Sequence, residues 1–131
     1  MEVLNVIAAA LAAFAFGAVW YMSMSKAWIA AAEIPVDGEG KPQGNGGAMP
    51  FVVGLVAMVI VAGMMRHIFA MSGLTTIGGG IMGGAGIGAF LITPWVAMNY
   101  AFGMRKPMLT VIDGVNSVVG CTVMGAVLNA F

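Results

Sequence analysis

Charge is what this sequence has least of. Its 131 residues include five basic and five acidic side chains, one histidine and one cysteine. Charged residues make up 8% of the chain, where an ordinary soluble domain carries roughly 25%. So little charge excludes a hydrated globular surface, and it equally excludes intrinsic disorder, which needs high charge and few apolar residues. The formal net charge of zero leaves no overall field to gather nucleic acid or an acidic partner. Cys121, being alone, cannot close an intrachain disulfide or join a multi-cysteine metal site. His67, also alone, excludes bis-histidine haem ligation within one chain. No pair of carboxylates lies within the apolar runs to share general acid and base work, so no enzyme activity and no cofactor are expected.

What is present is apolar: 61% of the residues, with 20 glycines besides. A helix crosses the hydrocarbon layer with about 20 apolar residues, so four crossings would take about 80 of them. The reading is an all-α integral membrane protein, a single four-span bundle over residues 1–131. The spans are placed at about 3–25, 49–71, 79–102 and 107–131, with a water-facing loop at 34–48.

The first run is broken by Asn5 and ends in Trp20, Tyr21 and Lys26, residue types that favour the headgroup boundary. Ala30, Ala31 and Ala32 could suit signal-peptide cleavage. Glu2 stands where such a peptide is positive, so the segment is read as a retained helix. Trp28 would let residues 27–32 lie along the interface until Pro35 ends them. The loop that follows, with Asp37, Glu39, Lys41 and Pro42 among glycines, reads as a flexible connector. Pro50 suits the first turn of the second span. Pro94 is expected to kink the third.

Four spans put both termini and the second connection on one membrane side. Lys26, Lys41, Arg105 and Lys106 then fall on the other side, against Arg66 alone on the terminal side. By the positive-inside rule the first and third connections are cytoplasmic and both termini lie outside, in a bacterial inner membrane.

The third span opens with a run of glycines. Gly79 with Gly83, Gly80 with Gly84, and Gly84 with Gly88 are small-xxx-small pairs, which let helix backbones approach closely in lipid. Neither the lysine of a P-loop nor the strand context of a dinucleotide site is present, so packing is the preferred reading. The spacing leaves open whether the partner helix belongs to the same chain or to another. Met22 and Met24 have a spacing that would suit copper(I). The 13 methionines are spread through the spans, however, and read better as filling between irregular helices.

Asp113 stands apart from the other charges. Six residues beyond Pro107, it lies about 9 Å into its helix, where an unpaired carboxylate costs up to about 2.5–3.5 kcal/mol. Its candidate partners are Tyr21, Lys26, Asn99, Tyr100 and Arg105, with Asn116 completing a possible polar site. Such a site is either a structural clasp or a place for a proton or cation. At the opposite end Glu2 and Arg66 can pair.

Further landmarks run the length of the chain: Gly17, Trp20 and Tyr21; Lys26, Ala27 and Trp28; Gly88, Phe90 and Thr93. They continue through Asn99, Phe102, Arg105 and Pro107 to Ile112, Asp113, Met124 and Leu128. In this order they resemble a bacterial membrane family known as domain of unknown function 1761. The resemblance implies a compact four-helix membrane domain and carries no activity. The expected role is therefore that of a homo-oligomer or an accessory subunit among other membrane proteins and lipids, with a small transporter or channel subunit as the alternative.

Overall fold

The computed structural model describes residues 2–44 and 47–131. Most of them are helical, and among them no strand forms beyond an isolated bridge between Val36 and Pro42. Four helical stretches are long and apolar enough to cross a membrane. The first is α1 (Glu2–Ser23), followed after a break at Met24 by the short α2 (Ser25–Ala32). The second is α3 (Met49–Ser72), and the third, Ile77–Phe102, is made of α4 (Ile77–Ile87), a π-helical segment (Gly88–Ile92) and α5 (Thr93–Phe102). The fourth is α6 (Pro107–Leu128), which stops short of the expected Phe131.

Local chemistry sets these boundaries. Gly73 ends α3 in the left-handed conformation (φ 68°), and Leu74 N–H reaches back to Phe69 O at 3.0 Å, the closure that satisfies orphan carbonyls at a helix end. Thr76 then caps α4, its hydroxyl oxygen accepting from Gly79 N–H at 3.0 Å. Pro107 begins α6, where its missing N–H costs nothing. The loop after α2 is better organised than its composition suggests. Asp37 Oδ1 accepts from the N–H groups of Glu39 and Lys41, each at 2.9 Å, and so folds residues 35–43 into a tight turn.

Just before Pro94, where a kink is expected, the regular α-helix gives way to the π segment. Thr93 donates to Gly88 O with both its backbone N–H and its hydroxyl, the latter at 2.7 Å. The wider turn admits one extra residue, and everything beyond it is rotated accordingly.

α6 is the central element and touches every other helix. Its partner on one side is α4, through the glycine stripe. A Cβ at Gly80 would overlap Gly125 O, one at Gly84 would overlap Cys121 O, and one at Gly88 would lie 2.6 Å from Ser117 O. The partner helix that the spacing left open is thus in the same chain. Gly83 faces elsewhere, onto the Phe69 ring at 2.9 Å, and Gly79 sits by its own cap at Thr76.

Two apolar clusters hold the bundle. One joins Ala9, Ala10 and Ala13 of α1, Met65 and Phe69 of α3, and Met124 of α6 at the end where the termini lie. The other, at the opposite end, sets Ala31 and Ala32 of α2 on Leu109 and Ile112 of α6, with Trp20, Trp28 and Tyr100 around them. Among the described residues α3 and α5 do not touch, so the two helices part toward the second cluster.

Candidate functional site

Asp113 lies on α6 between α1 and α5. The hydroxyl of Tyr21 donates to its Oδ1, and that of Tyr100 to its Oδ2 at 2.5 Å. Each oxygen of the carboxylate therefore receives one donor, and three helices meet at a single side chain. Trp20, the neighbour of Tyr21, donates from Nε1 to Ile112 O at 3.0 Å, fixing the same stretch of α1 to α6. The Tyr21 ring meets Trp28 edge-on, with centroids 6.0 Å apart. Hydrogen bonds to a charged acceptor are the stronger kind, and in a membrane they also spare the carboxylate the cost of standing unpaired.

The other residues expected here are elsewhere. Asn99 is exposed, because at about 100° per residue it faces away when Tyr100 faces α6. Lys26 lies beyond the break at Met24, is exposed, and makes no ion pair with Asp113. Asn116 turns toward α1, where its Oδ1 would be 3.3 Å from a Cβ at Gly17. Arg105 instead donates to Ala32 O at 2.6 Å, while Lys106 donates to Ala30 O at 3.1 Å and stands 3.7 Å from Glu33. These two cations satisfy the C-terminal carbonyls of α2, where positive charge is favoured.

A second polar assembly closes the other end of the bundle. Asn5, 2% exposed, donates from Nδ2 to Leu128 O at 3.1 Å and to Phe131 O at 2.6 Å. Arg66 donates to the same Leu128 O at 3.3 Å and lies 3.5 Å from Glu2. Asn129 ties the chain end to the connection before α4 through Leu74 O at 3.0 Å and Thr76 O at 2.9 Å. In the sequence Asn5 stands out only as a break in an apolar run. An amide four residues into a membrane helix was itself the signal, since such a group seeks a partner within the protein.

A family model described as "Protein of unknown function (DUF1761)" matches residues 4–129. The chain belongs to this family. Neither a curated protein nor a solved structure matches it. The match takes in Asp113 with both tyrosines of this DUF1761 member and, of the second assembly, Asn5, Arg66 and Asn129, while Glu2 and Phe131 fall outside it. Among the described residues no group of three or more His, Cys, Asp or Glu side chains is placed to hold a metal ion. The arrangement at Asp113 offers one carboxylate and two phenolic hydroxyls, chemistry suited to holding helices together or to lodging a proton or a small cation.

Proposed function

We propose that this is a non-enzymatic, multi-pass membrane protein that works by association, as a homo-oligomer or as an accessory subunit of a larger membrane complex. One observation carries this reading: both oxygens of the Asp113 carboxylate are taken by tyrosine hydroxyls of the same chain. A carboxylate so engaged holds α1, α5 and α6 in place, and what remains for function is the outer surface. The glycine stripe is covered by α6, so association falls to other faces. The first half of α3 is the best placed, with Phe51, Val52, Val53 and Val56 exposed and no contact to α5. The proposed setting is a bacterial inner membrane with both termini outside the cytoplasm. The distribution of Lys26, Lys41, Arg105 and Lys106 against Arg66 supports that orientation. Native mass spectrometry after extraction in mild detergent tests the proposal. Oligomers or a retained subunit are expected, and a lone monomer at every detergent ratio would count heavily against it.

The position of Asp113 favours a second reading, a small transporter or channel subunit. Each tyrosine oxygen keeps lone pairs beside the carboxylate, a donor set that could pass a proton or a monovalent cation. Flux into liposomes carrying the native chain, lost with Asp113→Asn, would support this. The absence of flux above empty liposomes across a range of ions would sink it.

A further inference from the structure

Between the terminal-side ends of α1 and α3 runs a groove of about 400 Å³. Its walls are apolar, with Val6, Val59 and Gly63 among them, and its mouth carries Glu2, Arg66 and His67. Arg66 is incompletely engaged. Its bonds to Leu128 O and to Glu2 are long, at 3.3 and 3.5 Å, and its Nε is buried with no partner among the described residues. A second groove of about 330 Å³, lined by Ala70, Leu74, Leu128 and Phe131 among others, lies against the same guanidinium. The enclosed Nε is beyond a ligand's reach, but the side chain is 30% exposed and the other N–H groups of its guanidinium, held only by the two long contacts, have donor capacity left for an added acceptor.

We propose that the α1/α3 groove holds a phospholipid whose headgroup carries a primary amine, of the phosphatidylethanolamine type. The apolar walls take an acyl chain. The phosphate accepts from Arg66 and from His67, which is exposed at the rim. The ammonium donates to Glu2, whose side chain is 76% exposed and held only by the 3.5 Å pair with Arg66. The pairing of signs decides the headgroup. A purely anionic lipid would meet Arg66 but would be repelled by Glu2, and a choline headgroup has no N–H for the carboxylate to accept.

The test uses the full chain, delipidated in detergent and mixed with equal amounts of phosphatidylethanolamine, phosphatidylglycerol and phosphatidylcholine bearing the same acyl chains. Native mass spectrometry reads the bound lipid. Phosphatidylethanolamine should exceed the other two by about fivefold, the contribution of one partly exposed charge pair. Glu2→Gln, at an exposed position, should remove that preference without disturbing the fold, and Gly63→Leu should lower the binding of all three lipids by filling the groove. Equal occupancy by the three lipids, a preference for phosphatidylglycerol, or a preference indifferent to Glu2→Gln would each overturn the proposal.

Discussion

The hydroxyl of Tyr100 lies 2.5 Å from Asp113 Oδ2, while Asn99, one residue earlier on the same helix, faces away and is exposed. The choice between these neighbours is made eight residues upstream. In an unbroken α-helix the face that begins at Gly80, Gly84 and Gly88 would continue through Asn99. The extra residue admitted by the Gly88–Ile92 segment turns the remainder by about one position, and Tyr100 arrives in its place.

The two tyrosines should therefore contribute separately and together. Tyr100→Phe or Tyr21→Phe keeps the ring and removes one donor, and each should lower stability by about 1–2 kcal/mol. The double variant leaves the carboxylate with neither hydroxyl and should cost more than the sum. Asp113→Asn, which retains an acceptor, should be milder than Asp113→Leu. Unfolding in detergent, arranged as a double-mutant cycle, measures all of these. Strict additivity of the two tyrosine changes would show that the hydroxyls do not act on a common group.

The glycine stripe separates two consequences of one substitution type. Gly84→Ala forces a methyl onto Cys121 O and should cost about 2–3 kcal/mol as α4 and α6 are pushed apart. At Gly86 nothing lies within 4 Å of the added methyl, so Gly86→Ala should be neutral or stabilising by up to about 1 kcal/mol through helix propensity. Thermal unfolding of the two variants side by side is the measurement. Because the stripe is internal, the loss at Gly84 should appear in the monomer. An effect confined to the oligomer would contradict the intrachain packing.

The four spans could be read from the sequence because the lengths of the apolar runs are dictated by the bilayer. Rotational phase is harder. Tyr21, Lys26, Asn99, Tyr100 and Arg105 could all be assigned to one end of the bundle, but which of them turn inward depends on a break at Met24 and an inserted residue before Thr93. Pro94 announced a disturbance without giving its geometry. The partner of the glycines was visible in part, since Gly114, Cys121 and Gly125 form a small-residue face on the last span. Spacing alone does not pair two such faces. The closure around Asn5 was harder to see, because its acceptors are backbone carbonyls more than 120 residues away.

Met104 offers a stabilising change. It holds φ at 56° in the connection between α5 and α6 and is 92% exposed, so its side chain contributes little to offset the left-handed backbone. A residue with a Cβ is disfavoured there by about 1 kcal/mol or somewhat more. Met104→Gly should raise the midpoint of thermal unfolding while leaving the Tyr100 to Asp113 contact in place. A lowered midpoint would mean that the methionine side chain makes contacts in the membrane interface that outweigh the backbone gain.

If the π segment is a one-residue insertion, deletions should reveal it. Removing Phe90, which lies within the segment and is 80% exposed, lets the helix close into regular α geometry without changing the bearing of anything after it. Thr93, whose Cγ2 lies 3.0 Å from where a Cβ on Gly114 would stand, would still face that glycine, and Tyr100 would still face Asp113. Removing Ala97 instead takes a residue from regular helix, rotating Tyr100 by about 100° off the carboxylate. It should therefore cost at least the lost hydrogen bond, about 1–2 kcal/mol, beyond whatever the Phe90 deletion costs. Unfolding of both deletions in the native and Tyr100→Phe backgrounds decides the matter. The tyrosine change should still be felt after Phe90 is removed and should be silent after Ala97 is removed. The reverse pattern would mean that the segment does not set the phase of α5.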